Sequence, residues 1–184
     1  MKHLLKLIII LSLFAQVCYA QKAESLGENK TVHYDKKIES VKEYKVLHDS
    51  IASLVKLAKK DSINYVGITF LEFEKRLDKC GLKITKVGIR DYDRGKVYPQ
   101  HVYGIALFFS TKGMNDFVGS DVLQPPYIIV NFTESKPYEK TFNLIRQYRG
   151  FFNEEFEALY ADAVVQSLYF HHPDDIYLLK RTTE

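Results

Sequence analysis

Tryptophan is absent from this chain of 184 residues, which contains only two cysteines and five prolines. One cysteine, Cys18, lies near the N-terminus in a segment that we expect to be removed, which would leave Cys80 alone. A single cysteine cannot form an internal disulfide, so the class of small domains held together by disulfides is excluded. Stability must come from a hydrophobic core, for which 13 tyrosines and 12 phenylalanines supply large side chains.

Long hydrophobic runs are also missing beyond the first residues. Lys2 and Lys6 are followed by a mainly apolar run at 7–15, and Ala20 completes a small-residue cleavage site, the three parts of a secretory signal. The run is shorter than the ~20 residues that a membrane-spanning helix needs. We therefore expect cleavage after Ala20 and a periplasmic or extracellular protein without a membrane span. Lipidation at Cys18 and an uncleaved anchor are the alternatives.

An excess of basic charge is nearly absent once that signal is removed. The whole chain carries a net charge of +3, and loss of Lys2 and Lys6 leaves 24 basic against 23 acidic side chains, a net charge of +1. Proteins that bind nucleic acids need a basic face to contact the phosphates. We therefore expect no nucleic-acid partner, and nothing in the sequence indicates a cofactor.

The spacing of apolar residues predicts the fold class. Apolar residues recur every three or four positions in four helical segments, and the strands between them have alternating or continuous apolar runs. The predicted helices cover about 40–60, 70–80, 137–149 and 153–167. The first predicted strand starts at Leu82 and has a bulge at Gly88. The next two strands cover 97–109 and 127–132, and a short edge strand is possible at 168–172. This order predicts an α+β fold, in which a mainly antiparallel sheet of three to four strands packs with about four helices. A flexible lead-in at 21–39 precedes a single domain at 40–184.

The clearest local signal lies at 65–82. Thr69 and Glu72 have the spacing of a capping box at a helix start, and Gly81 is placed to end the helix in a left-handed conformation. With Gly67, Leu77 and Leu82, these residues resemble the helix segment of a PASTA domain, which implies binding of peptidoglycan fragments. The whole chain also resembles small exported proteins of unknown function from Gram-negative bacteria, a likeness that implies no activity.

The segment 110–126 is the strongest candidate for a binding region. It connects two apolar strands, and a connection of this length is usually functional or contains further structure. The alternative is a short helix that packs its apolar side on the sheet. The candidate ligand-binding residues fall in two groups. Two are aromatic residues of the preceding strand region, Tyr98 and Tyr103. The others lie in this segment and are Lys112, Asn115, Asp116, Phe117 and Asp121.

The function that best fits these features is an exported, non-catalytic domain that binds a small ligand, a glycan or a protein. No nucleophile, metal-ligand set or phosphate-binding loop stands out. Two alternatives stay open. One is a hydrolase of envelope or other polymers that uses carboxylates whose pairing the sequence does not reveal, among them Glu134, Glu139, Glu154, Glu155 and Asp162. The other is a subunit of a surface assembly.

Overall fold

A computed structural model describes residues 37–93, 95, 97–117 and 125–171. Within these residues, four strands form one antiparallel sheet in the order β1-β2-β3-β4, and five α-helices and one 3-10 helix accompany it. The strands are β1 Lys86–Tyr92, β2 His101–Phe108, β3 Tyr127–Pro137 and β4 Val165–His171. The α-helices are α1 Val41–Lys60, α2 Phe70–Lys79, α3 Lys112–Phe117, α4 Tyr138–Gln147 and α5 Glu154–Tyr160, and the 3-10 helix is Ser62–Tyr65. The predicted α+β class is confirmed.

The helices of the described residues include none that is both long and apolar enough to cross a membrane.

The ends of α2 and α5 follow local signals. Thr69 and Asn153 are the N-caps, and their side chains accept hydrogen bonds from the backbone N–H three residues later, at 3.3 and 2.9 Å. Gly81 and Gly150 follow α2 and α4 with φ of +83° and +78°, a conformation that glycine adopts without strain.

The first strand begins later than predicted. Leu82 and Ile84 are buried, yet β1 starts only at Lys86, which pairs with Phe108 at the end of β2. Thr85 still donates its N–H to the carbonyl of Phe108 at 3.0 Å, but Leu82 and Ile84 lie before the strand, and their alternation reflects packing into the core. The predicted bulge at Gly88 is also wrong. Gly88 pairs regularly with Ala106, and the register shifts only after Ile89.

The last helix is shorter than predicted. It ends at Tyr160, whereas the sequence pattern extended it to residue 167, and β4 takes the chain from Val165 onwards. Long-range backbone bonds explain the difference. The carbonyls of Ala161 and Ala163 accept N–H groups from the start of α2, and Val165 donates to Ile68 O at 2.9 Å. These partners lie far away in sequence, so helical periodicity could not reveal them.

The sheet uses its two faces differently. One face packs with the helices in a single core, and its residues include Val87, Ile105, Leu107, Ile128 and Val130. Side chains alternate along a strand, so the neighbouring positions lie on the opposite face. There, Lys86, Phe108, Tyr127 and His171 form one row across the four strands. The rings of Phe108 and Tyr127 lie 5.4 Å apart, and those of Tyr127 and His171 lie 4.4 Å apart.

Gly104 lies where β2 has no room for a side chain. A Cβ atom there would lie 2.2 Å from Asn131 Oδ1 and 3.2 Å from the carbonyl oxygen of Val130. We expect Gly104→Ala to lower the free energy of unfolding by about 1–3 kcal/mol, because the strand pair must shift to admit the methyl group. Urea unfolding measures this change.

Gly88→Ala is the matched control, because its nearest neighbour would be Phe108 Cε2 at an ordinary 3.6 Å. We expect the control to be neutral or to stabilise by about 0.5–1 kcal/mol, since glycine within a strand is itself unfavourable. Equal stabilities for the two variants would show that the close approach at Gly104 relaxes without cost.

Candidate functional site

The connection between β1 and β2 places apolar side chains in solvent. Val97 and Tyr98 are 86% and 82% exposed, and Tyr103, in β2, is 40% exposed. Large exposed side chains that lie singly are common on any protein, but several within a short segment indicate an interaction site. We call Asp93, Tyr98, His101 and Tyr103 the hairpin-tip cluster.

A buried carboxylate orients the imidazole of this cluster. Asp93 Oδ2 lies 3.1 Å from His101 Nδ1 and also accepts the backbone N–H of Gln100 at 3.4 Å. The backbone N–H of Asp93 donates to the carbonyl of His101 at 3.2 Å, so the two residues are joined by main chain and side chain. The Asp93 side chain is 7% exposed and that of His101 is 44% exposed. The hairpin therefore presents a half-exposed histidine in a defined orientation.

Aromatic rings surround this end of the sheet. The ring centroids of His101 and Tyr103 are 6.2 Å apart. The N–H of Tyr138, the first residue of α4, donates to the carbonyl of Gln100 at 2.9 Å, and the Tyr138 ring lies 5.7 Å from that of Tyr92. These bonds attach the hairpin to the helical layer. The rings and the fixed imidazole can together contact a ligand that has both an apolar face and hydrogen-bonding groups.

No protein-family model, curated protein or solved structure matches this chain. Any functional conclusion therefore depends on the residues and on their geometry.

The other predicted site residues lie at the opposite end of β2. This strand, at about 3.3 Å per residue, separates the hairpin tip from α3 by about 23 Å. Lys112 and Asp116 are exposed on α3, and Phe117 is its last residue. Asp121 lies outside the described residues. The structure thus brings Tyr98 and Tyr103 to one end of the sheet and does not bring them together with α3.

Helix α3 has clear packing roles. Met114 is fully buried in the core, as the alternative of a short packed helix predicted for this segment. Thr111 Oγ1 accepts the backbone N–H of Met114 at 3.1 Å, and Asn115 Oδ1 accepts the hydroxyl of Ser110 at 2.9 Å. Asn115 therefore holds the turn after β2, whereas Lys112 and Asp116 are exposed and can meet a ligand.

The sequence interpretation missed the pairing of Asp93 with His101. Neither residue is among the candidate site residues that the sequence indicates. A signal was present, because the two residues lie at equal distances from Val97, the centre of the connection. Antiparallel strands that flank a turn bring such positions opposite each other. A carboxylate and an imidazole at mirrored positions of a predicted hairpin therefore indicate a possible pair.

The structure brings together a different pair of carboxyl groups from those considered in the sequence. Lys136 binds Asp162 and the Tyr148 hydroxyl binds Glu155, so these two acids already have partners. Glu74 of α2 instead lies near Glu157 of α5. Burial raises the pKa of Glu74 to about 7, and the negative charges of Glu157 and Asp78 contribute, with Lys75 acting in the opposite direction.

The position of Glu74 could have been predicted. It follows Phe70 by four residues and precedes Leu77 by three, so it falls on the apolar stripe of α2. An acidic residue on such a stripe is partly removed from water, and its charged form is disfavoured.

Glu74→Gln should change how stability depends on pH. A folded-state pKa of about 7, above the usual 4.5, means that the native state holds a proton that the unfolded state releases. This contribution to stability is complete below pH 4.5 and is lost as the pH rises through 7. Allowing for solvent screening, we expect Glu74→Gln to be more stable than the parent by about 1–2 kcal/mol at pH 8 and nearly equal to it at pH 4.5.

Urea unfolding at a series of pH values tests this expectation. Glu134→Gln, which changes an exposed glutamate of β3, is the matched control and should leave the pH dependence unaltered. A difference between Glu74→Gln and the parent that does not vary with pH would contradict the assignment.

Proposed function

We propose that this protein is an exported, non-catalytic binding domain that contacts its ligand through the hairpin-tip cluster. The observation that carries the proposal is the half-exposed imidazole of His101, which buried Asp93 orients beside the ring of Tyr103, with the exposed Tyr98 three residues earlier in the chain. Structural side chains on a surface seldom need such orientation, whereas a binding site gains affinity when its polar groups are already in place. Export is supported by the signal-like features of residues 1–20.

The sheet gives this tip a rigid support. Asp91 and Tyr92 pair with β2, and Gln100 is hydrogen-bonded to the start of α4. A ligand at the tip therefore meets His101 and Tyr103 on a paired strand, which reduces the entropy lost on binding. The resemblance of residues 67–82 to a PASTA helix adds peptidoglycan fragments to the ligands that merit testing.

Tyr98→Ala is the direct test of the tip. A thermal-shift screen with neutral glycans, muropeptides and short peptides first identifies a ligand, and calorimetric titration then gives its affinity. Because exposed aromatic residues are frequent determinants of affinity, we expect Tyr98→Ala to weaken binding about tenfold, equivalent to about 1.4 kcal/mol. Its stability should change by less than about 0.5 kcal/mol, since the side chain is 82% exposed.

Tyr169→Ala is the matched control, because Tyr169 is 58% exposed on β4, the strand farthest from β1. It should bind like the parent. Equal losses in both variants would place the binding site elsewhere. The absence of a shift with every compound would exclude a small-ligand site and favour the surface-assembly alternative.

A hydrolase is the second candidate, and Glu74 favours it. A carboxyl group with a pKa of about 7 retains a proton near neutral pH and can act as a general acid, and Glu157 lies close enough to influence it. Release of reducing ends from soluble polysaccharides tests this function. A hydrolase that uses this pair should lose at least about 100-fold of its rate in Glu74→Gln. No release by the parent protein would exclude the pair as a hydrolytic site for these substrates.

A further inference from the structure

We propose that Asp93 holds His101 in the tautomer with its proton on Nδ1, so that Nε2 accepts a hydrogen bond from a hydroxyl group of a neutral carbohydrate. This inference rests on the proposed binding function of the hairpin tip. It adds the chemical class of the ligand, and it assigns Asp93 as a positioning residue.

The tautomer follows from the partners of Asp93. An ionised carboxylate can only accept hydrogen bonds, and Asp93 Oδ2 lies 3.1 Å from His101 Nδ1. The contact is a hydrogen bond only when Nδ1 carries the proton. The backbone N–H of Gln100 donates to the same oxygen at 3.4 Å, so Asp93 Oδ2 acts as an acceptor there as well.

The second ring nitrogen is then available as an acceptor. In a neutral imidazole with a proton on Nδ1, Nε2 has a lone pair and no proton. Within the part of the chain that the structure describes, His101 makes no hydrogen bond through Nε2, and its side chain is 44% exposed. A ligand group that binds Nε2 of the neutral ring must therefore donate a hydrogen bond, as a hydroxyl does.

The neighbouring rings favour a carbohydrate as the donor. A pyranose has an apolar C–H face that can lie on an aromatic ring, and its hydroxyl groups project from the edge of the same ring. The tip offers both complements within a few residues of sequence, because the rings of Tyr103 and His101 lie 6.2 Å apart and Tyr98, three residues before His101, is exposed.

Other ligand classes fit less well. A stable protein partner typically covers about 800 Å² on each side, far more than these few side chains provide. A metal ion needs several ligands, and the described residues contain no group of three or more His, Cys, Asp or Glu side chains that could hold one.

Nuclear magnetic resonance of the histidine side chains tests the tautomer without any ligand. Long-range proton–nitrogen correlation distinguishes a protonated from an unprotonated ring nitrogen, and His101→Phe identifies the His101 signals by their loss. We expect the neutral imidazole of His101 in the parent protein to carry its proton on Nδ1. In Asp93→Asn, which introduces an N–H donor, we expect the proton to move partly or fully to Nε2. A proton on Nε2 in the parent would overturn the proposal.

Titration with cellohexaose and chitohexaose tests the ligand class. We expect binding that perturbs the signals of Tyr98, His101 and Tyr103, and an affinity about tenfold lower in Asp93→Asn and in His101→Phe, which retains a ring but has no acceptor. The backbone spectrum of each variant confirms that it is folded.

Equal affinity in the parent and both folded variants would overturn the role of the imidazole. If neither sugar binds while a peptide or muropeptide perturbs the tip, the carbohydrate assignment fails and the proposed binding function stands. If the sugars bind elsewhere and Tyr98→Ala has no effect, both fail.

Discussion

The packing of Phe70 is the contact on which the arrangement of this domain depends. Its fully buried ring lies within 5.9–6.4 Å of four other ring centroids, which belong to Phe73, Phe132, Phe152 and Tyr160. One side chain therefore joins α2 to β3, to α5 and to the segment before α5. In a chain without tryptophan and with Cys80 as its one described cysteine, these aromatic contacts connect the sheet and the helices.

The hydroxyl of Tyr160, the polar group among these five rings, is neutral and paired. The Tyr160 hydroxyl lies 2.9 Å from Thr141 Oγ1, and Thr141 in turn donates to the carbonyl of Pro137. Burial raises the pKa of Tyr160 above its usual range, so the hydroxyl stays protonated. Because a buried hydroxyl without a partner would be costly, this chain of bonds fixes α4 against α5. It also fixes the start of α4, whose Tyr138 N–H holds the hairpin at Gln100.

The sequence predicted those features whose causes are local. The cap at Thr69 and the left-handed Gly81 each depend on a few neighbouring residues, and both are confirmed. The predicted helix end at residue 167 failed because the competing bonds come from Ile68 and Phe132, which no local pattern contains. The residues of the candidate site likewise differ in whether local sequence could reveal them. The exposed aromatic residues at 98 and 103 could be selected individually, whereas the pairing of Asp93 with His101 required the hairpin register.

The exposure of Tyr103 links the site to the irregularity of β2. The register shifts between Val102 and Gly104 on the β3 side, and Tyr103 is 40% exposed although it lies two and four residues before Ile105 and Leu107, which face the core. An irregularity of this kind redirects one side chain out of the alternating pattern. Gly104 permits the close approach that accompanies it, since Asp91 and Asn131 occupy the space where a Cβ would lie. The absence of a side chain at Gly104 thus accommodates the irregularity next to Tyr103, whose ring lies 6.2 Å from the imidazole that Asp93 orients.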